Sequence, residues 1–123
     1  MDETELTVRP WGWRILGFGR KPEVAAAIQA QLRSKGMRAR AFALTDDPDG
    51  DTRLVGELRQ ACYDGVAIGG FINGQDPAVR PTFETTLWFN RVLNLVHGHA
   101  PQAKIILVRD PGDALPAIQR VLG

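Results

Sequence analysis

The sequence predicts an α/β fold, a three-layer α-β-α domain around a mainly parallel four-stranded sheet in the order 2-1-3-4. Apolar, strand-like runs alternate with helix-like segments four times along the chain, the pattern of successive βα units. Three of these four runs lack polar alternation, which is typical of strands buried on both faces of a sheet. Right-handed crossovers between parallel strands then place the first strand beside the third.

Size and composition indicate one globular domain. The chain has 123 residues, of which 44% are hydrophobic, enough for a single core. Residues 1–10 read as a loose N-terminal arm, and residues 11–123 as a single α/β domain. Fifteen basic and fourteen acidic residues leave a net charge of +1. This balance gives no broad field for a nucleic acid or a membrane surface, so we expect neither partner.

The predicted location is the cytoplasm. The single cysteine excludes an internal disulfide bond, and the opening "MDETELTVRP" lacks the basic-then-apolar layout of a signal peptide. No apolar run approaches the roughly 20 residues that a membrane-spanning helix requires.

The first half of the chain supplies two strands and two helices. "WRILGF" (13–18) is the first strand, and Pro22 suits the first turn of a helix that stops at Gly36. "MRARAFAL" (37–44) alternates strictly, which predicts a partly exposed edge strand. The next helix should be capped by Asp51 or Thr52. Its apolar stripe would contain Leu54, Val55, Leu58, Ala61 and Cys62, which makes Cys62 a core residue.

The second half repeats the alternation. "GVAIG" (65–69) is the third strand, a long helix runs from Thr82 to about Val96, and "AKIILV" (103–108) is the fourth strand. Asp110 or Asp113 should cap the closing helix. Pro116 is compatible with that helix because it falls near the first turn.

The stretch "DGVAIGGFINGQDP" (64–77) marks the predicted ligand site. In a 2-1-3-4 sheet, ligands bind beyond the carboxyl ends of strands 1 and 3, where the chain order reverses. Both ends carry glycine, which allows a small ligand, a nucleotide or another anion, to approach the backbone. Equally, the glycine pair could serve only to turn the chain out of the sheet. The candidate ligand-binding residues are Gly17, Gly19, Arg20, Asp46, Gly69, Gly70, Asn73 and Arg80.

No strong cofactor motif accompanies this site, and the cofactor stays unknown. "GFG" is a fragment of the dinucleotide fingerprint, but Pro22 replaces its third glycine. Asp46 falls where a ribose-binding acid would lie, although a turn residue fits it as well. A P-loop and a response-regulator aspartate are absent from the sequence. His97 and His99 are poor candidates for zinc ligands. They are better explained as cations that stabilise the C-terminus of a helix.

Glu84 is the candidate catalytic residue. It falls in the first turn of the longest helix, a turn expected to face the crevice, where a carboxylate can act as a general acid or base. It also fits a plain N-terminal charge that complements the helix dipole. Whether the protein is an enzyme is therefore left open.

Two segments, "YDGVAIGGFI" and "FNRVLNLVHGHAPQAKIILVRDPGDALPAI", resemble a group of small bacterial proteins of unassigned function. The resemblance covers roughly the second half of the chain. It implies a single-domain Rossmann-like or flavodoxin-like fold and no particular activity. Arg109 and Asp110 stand where the group has polar Asn-Thr, so the resemblance transfers no ligand contact there.

The sequence also predicts a homodimer. The fourth strand is an edge strand, yet "KIILV" lacks protective charges between its lysine and its end. Phe83 and Leu87 fall outside the apolar arc of the preceding helix. A two-fold interface would cover both features, which makes a non-catalytic interaction module the alternative function. Residues 5–9, "ELTVR", could instead fold back and cover the same edge.

Overall fold

The computed structural model describes residues 12–123. The predicted arm at residues 1–10, with its "ELTVR" segment, lies outside the described residues. The strands are β1 (Arg14–Gly19), β2 (Arg38–Ala43), β3 (Gly65–Ile68) and β4 (Lys104–Leu107). The helices are α1 (Pro22–Ser34), α2 (Pro48–Leu58), α3 (Gly70–Asn73), α4 (Phe83–His99) and α5 (Ala114–Leu122), and a 3-10 turn spans Pro111–Asp113.

The four strands form one parallel sheet in the order β2-β1-β3-β4. Every neighbouring pair is parallel, with β1 between β2 and β3 and with β4 beyond β3. The predicted fold class and strand order are therefore confirmed. None of the helices within residues 12–123 is long and apolar enough to cross a membrane.

Helices cover both faces of the sheet, and each face has its own core. On the α2/α4 face, Leu54 and Leu58 of α2 and Val92 of α4 pack against Leu16 and Val66 of the strands. On the α1/α5 face, the corresponding cluster includes Ile15, Leu32, Ala39, Ala67, Ile106, Ala117 and Ile118. The continuous apolar strands noted in the sequence are thus explained by burial on two sides.

Helix α1 begins and ends where the sequence predicts. Pro22 is its first residue, and Gly36 adopts a φ of 93°, the left-handed conformation that glycine tolerates. The N–H of Gly36 donates to the Arg33 carbonyl, and that of Met37 donates to the Leu32 carbonyl. These paired bonds form a Schellman motif, which satisfies carbonyls at the helix end.

The predicted start of α2 was wrong. The helix begins at Pro48 and its cap is Asp47, whose carboxylate accepts the Gly50 N–H at 2.7 Å, so Asp51 already lies in the first turn. The turn-like composition of "DDPDG" concealed this start, because Asp-Pro suits both a turn and a capped helix. The helix also stops at Leu58, before Cys62, which is exposed. The prediction of a core cysteine is therefore wrong as well.

Helix α4 is longer than predicted and has a different kind of start from α5. Thr82 caps α4 through a reciprocal capping box with Thr85, and the helix continues to His99 rather than ending near Val96. At α5, neither Asp110 nor Asp113 provides a side-chain cap. The Asp113 carboxylate instead accepts the backbone N–H of Arg109. Pro116 lies in the first turn of α5, as predicted.

The two edges of the sheet differ in protection. At β2, the Ala39 carbonyl accepts from Arg33 Nε at 2.7 Å, and the Ala41 N–H donates to Gln29 Oε1 at 2.8 Å. Side chains of α1 thus occupy outward-facing groups of this edge strand. At β4, the N–H groups of Lys104 and Val108 point toward β3. Because successive residues of a strand present their backbone groups to opposite sides, the N–H group of Ile105 points outward, away from the sheet.

Candidate functional site

A cavity of about 500 Å³ lies on the α1/α5 face. Its floor is formed by Gly17, Ala41 and Ala67, which are direct neighbours across β2, β1 and β3. Three small residues side by side leave a space that larger aliphatic side chains would fill. The cavity exists because this row of small residues lies between two helices that stand apart.

The walls of the cavity are apolar. On one side α1 contributes Val24, Ile28 and Leu32, which recur every four residues and so share one face of the helix. On the other side α5 contributes Ala114 and Ile118. Val24 and Ile28 are only partly buried, so the cavity leaves apolar side chains incompletely covered.

The mouth of the cavity lies at the carboxyl ends of β1 and β3. Gly19, the last residue of β1, and Arg20, which follows it, line the mouth, and Gly69 and Gly70 line it after β3. The sequence predicted this location from the strand order. It did not predict the apolar space beneath, because only the strand register shows that the small residues of "LGF", "RAF" and "VAI" are neighbours.

Charged side chains of both signs surround the mouth. The Arg20 guanidinium lies 3.9 Å from the centre of the Phe71 ring, in a cation–π contact. Lys21 lies beside it at the start of α1, a helix without a side-chain cap. Of the two carboxylates, Asp76 accepts the Ala78 N–H at 2.9 Å, and Asp110 accepts from Arg109 at 3.0 Å. Each carboxylate thus accepts a hydrogen bond, and Arg20 and Lys21 both line the cavity.

The segment after β4 is fixed by Asp113. This side chain is 8% exposed and accepts two hydrogen bonds from Arg120, each at 2.9 Å, and one from the Arg109 N–H at 3.0 Å. The Arg120 bonds, with the Arg109 N–H, lower the Asp113 pKa to about 2. The charged network holds in place the turn that carries Asp110 and Pro111 at the mouth.

The four candidate glycines have different roles. A Cβ at Gly70 would lie 1.8 Å from the Arg109 carbonyl oxygen, so this glycine is required by the packing of two backbone segments. At Gly69 the nearest atom would be the Phe18 carbonyl oxygen, at 3.1 Å. Gly17 is roomier, with the Cβ atoms of its two floor neighbours at 3.8 Å, and Gly19 has open space. Gly17 and Gly19 are therefore the positions where a side chain can enter the cavity.

Asn73 binds the sheet. Its Nδ2 donates to the carbonyls of Ile68, at 2.8 Å, and Val108, at 2.9 Å, and its Oδ1 accepts the Gln75 N–H. These bonds tie together the ends of β3 and β4. These bonds use the Asn73 amide fully, and Asn73 does not line the cavity. Its role in the structure is therefore to hold the strand ends together.

The remaining three candidates do not line the cavity. Asp46 accepts from Arg91 at 2.6 Å, and Arg91 also binds Asp51, so Asp46 belongs to the α2/α4 side of the sheet. Arg80 and Glu84 are exposed. The first turn of α4 does not bring Glu84 to the cavity, contrary to the expectation from the sequence.

Comparison with known proteins gives no assignment, because no family model and no curated protein matches the chain. Within residues 12–123, no three His, Cys, Asp or Glu side chains are grouped as a metal site would require. What can be said of function therefore rests on the cavity.

Proposed function

We propose that this protein binds a small amphipathic molecule, with the apolar body inside the cavity and the polar end at the mouth. The observation that carries the proposal is the cavity itself, about 500 Å³ of apolar-walled space that opens at the switch point of the sheet. A ligand would cover Val24 and Ile28, which the protein alone leaves partly exposed. No reaction is included in this proposal.

The shape of the cavity favours an elongated ligand. Its lining runs along β1 from Ile15 to Gly19, roughly 13 Å at the rise of a strand. Along α1 it runs from Lys21 to Leu32, roughly 16 Å at the rise of a helix. An alkyl chain or a narrow ring system fits this length with its polar group at the Gly19 end.

The polar group is proposed to be anionic. Arg20 and Lys21 are the cations at the mouth, and the N-terminus of α1, which has no side-chain cap, adds the positive end of the helix dipole. A carboxylate or phosphate on the ligand would be complementary to these groups. Cytoplasmic location stays a prediction from the sequence.

Replacing Gly17 with valine is expected to block binding. The new side chain starts in ordinary contact with Ala41 and Ala67 and extends into the cavity, and valine is well suited to a strand. In a thermal-shift series of straight-chain carboxylates, the wild-type Tm should rise with chain length until the cavity is full. Gly17→Val should show no such rise.

Gly98→Val is the matched control, because Gly98 lies in α4 with open space around it. It should respond to the carboxylates as wild type does. Arg20→Ala should keep the dependence on chain length but lose the preference for a carboxylate over the equivalent alcohol. Binding retained in a folded Gly17→Val protein would contradict the proposal.

A homodimeric interaction module is the second candidate function. Phe83 is 72% exposed and Leu87 is 49% exposed. Both lie on one ridge of α4 together with Arg91, and Arg91 binds Asp51 of α2. The ridge therefore faces the α2 side of α4. The unprotected β4 edge, with Ile105 36% exposed, is a separate surface. Exposed apolar side chains of this size favour a protein contact.

Light scattering at micromolar concentration tests the dimer, which is the expected result. If the α4 ridge forms the contact, Leu87→Glu should give a folded monomer, whereas Ile105→Lys should stay dimeric. The reverse outcome would assign the contact to β4. A wild-type monomer would exclude the interaction module.

A further inference from the structure

A second concavity, of about 420 Å³, lies at the β2 edge, at the opposite end of the sheet from the ligand mouth. We call it the arginine groove, and it is lined by Arg14, Arg33, Met37, Arg38, Ala39, Arg40, Ala61 and Tyr63. Four of these eight residues are arginines from three different elements. The sequence showed only part of this cluster, because Arg14 joins it through the pairing of β1 with β2.

Arg14 and Arg38 are direct neighbours across β1 and β2. Their side chains therefore leave the same face of the sheet from strands about 4.8 Å apart. Like charges placed directly opposite each other destabilise a strand pair. A negative charge bound between the two guanidinium groups would make the arrangement more favourable.

Carboxylates of the described chain do not supply that charge. Glu57 is engaged by both Arg40 and Arg53. Asp64 accepts the backbone N–H of Arg14 at 2.7 Å, and no ion pair joins it to a guanidinium within residues 12–123.

Several guanidinium donors of the groove have no hydrogen-bond partner within residues 12–123. Toward residues 12–123, Arg33 uses only its Nε, which donates to the Ala39 carbonyl. Among the described residues, the Arg38 guanidinium makes a single long hydrogen bond, 3.5 Å to the Gly12 carbonyl. Arg14 makes no side-chain hydrogen bond to residues 12–123. Fork-shaped guanidinium groups with free N–H donors match the oxygens of a phosphate.

We infer that the arginine groove binds a phosphate-bearing small molecule, with one phosphate held between Arg14 and Arg38 and Arg33 available to a second. This site is independent of the cavity between α1 and α5. The arginine groove and this cavity share no proposed ligand contact, so either binding proposal can fail without the other.

Calorimetric titration with inorganic pyrophosphate, in a buffer without phosphate, tests the inference. We expect binding to the wild-type protein, and about tenfold weaker binding to Arg14→Gln and to Arg38→Gln. Arg80→Gln removes the same charge from an exposed position that lines neither cavity, and should bind as wild type does. Sodium chloride at equal ionic strength should produce no comparable heat.

A second readout separates a ligand site from a structural role. Without phosphate, Arg38→Gln should leave the Tm unchanged or raise it, because it removes like-charge repulsion. With pyrophosphate, only wild type and Arg80→Gln should gain stability. Absence of pyrophosphate binding, or equal loss in Arg80→Gln, would overturn the inference. Tighter binding of a single-stranded oligonucleotide than of pyrophosphate, lost in the same variants, would overturn the assignment to a small molecule.

Discussion

Replacing Gly70 with alanine is expected to destabilise the protein by about 3 kcal/mol or more. The added Cβ would lie 1.8 Å from the Arg109 carbonyl oxygen and 2.7 Å from its carbonyl carbon. Both partners are backbone, and the Arg109 segment is held by Asp113, so neither can move away cheaply. Urea denaturation followed by circular dichroism would measure the loss as a lower midpoint.

Gly17→Ala is the matched control for this change. The same methyl group at Gly17 has its nearest neighbours at ordinary van der Waals distances, the Cβ atoms of Ala41 and Ala67 at 3.8 Å and the Ala67 carbonyl oxygen at 3.9 Å. Stability should therefore change by less than about 1 kcal/mol. If Gly70→Ala were as stable as Gly17→Ala, the backbone at Gly70, after β3, would not lie as close to the backbone at Arg109, after β4, as the structure has it. The sequence alone left open whether Gly70 serves a ligand or only turns the chain out of the sheet, whereas the backbone contact makes this glycine a requirement of the fold.

Replacing Arg40 with methionine is expected to cost about 2 kcal/mol near neutral pH. Glu57 is only 7% exposed, and Arg40 binds both of its carboxylate oxygens, with Nη2 at 2.6 Å from Oε2. Without Arg40, the longer contact of 3.7 Å to Arg53 is the ion pair that the carboxylate keeps within residues 12–123. A buried charge would then lack most of its compensation.

The cost should depend on pH with a defined sign. In the wild-type protein, hydrogen bonding by Arg40 lowers the Glu57 pKa. Its stabilisation is therefore present above the ordinary pKa of glutamate and is lost as the pH falls through the lower, folded value. In Arg40→Met we expect burial to dominate and to raise the Glu57 pKa. The variant should then lose less stability than wild type on acidification, and the difference between them should narrow.

Arg38→Met is the control, because Arg38 lies two residues away on the same face of β2 and is exposed, without a carboxylate partner within residues 12–123. Its denaturation midpoint should stay close to that of wild type from about pH 2.5 to about pH 7, a range that extends well below the ordinary glutamate pKa of about 4.3. A constant difference between wild type and Arg40→Met over this range would contradict the assigned role of the pair.

Local signals in the sequence determined much of the fold. Pro22 marks the start of α1 and Gly36 marks its end, because each residue has a backbone preference that acts without distant contacts. The apolar strands and the handedness of crossovers gave the order 2-1-3-4. The same order located the mouth of the cavity at the ends of β1 and β3. These inferences needed only periodicity, steric rules and topology.

Tertiary structure decided what depends on register and on close approach between distant segments. Gly17, Ala41 and Ala67 form one floor only after three strands are aligned, and nothing local in "LGF" or "VAI" announces a cavity. Gly70 meets Arg109, and Asn73 meets Val108, across more than thirty residues of chain. Glycine and asparagine at a strand end have the same local signature whether they serve a ligand or the backbone. Which of these roles applies is set by the partner that folding brings within contact distance, and that partner is absent from the local sequence.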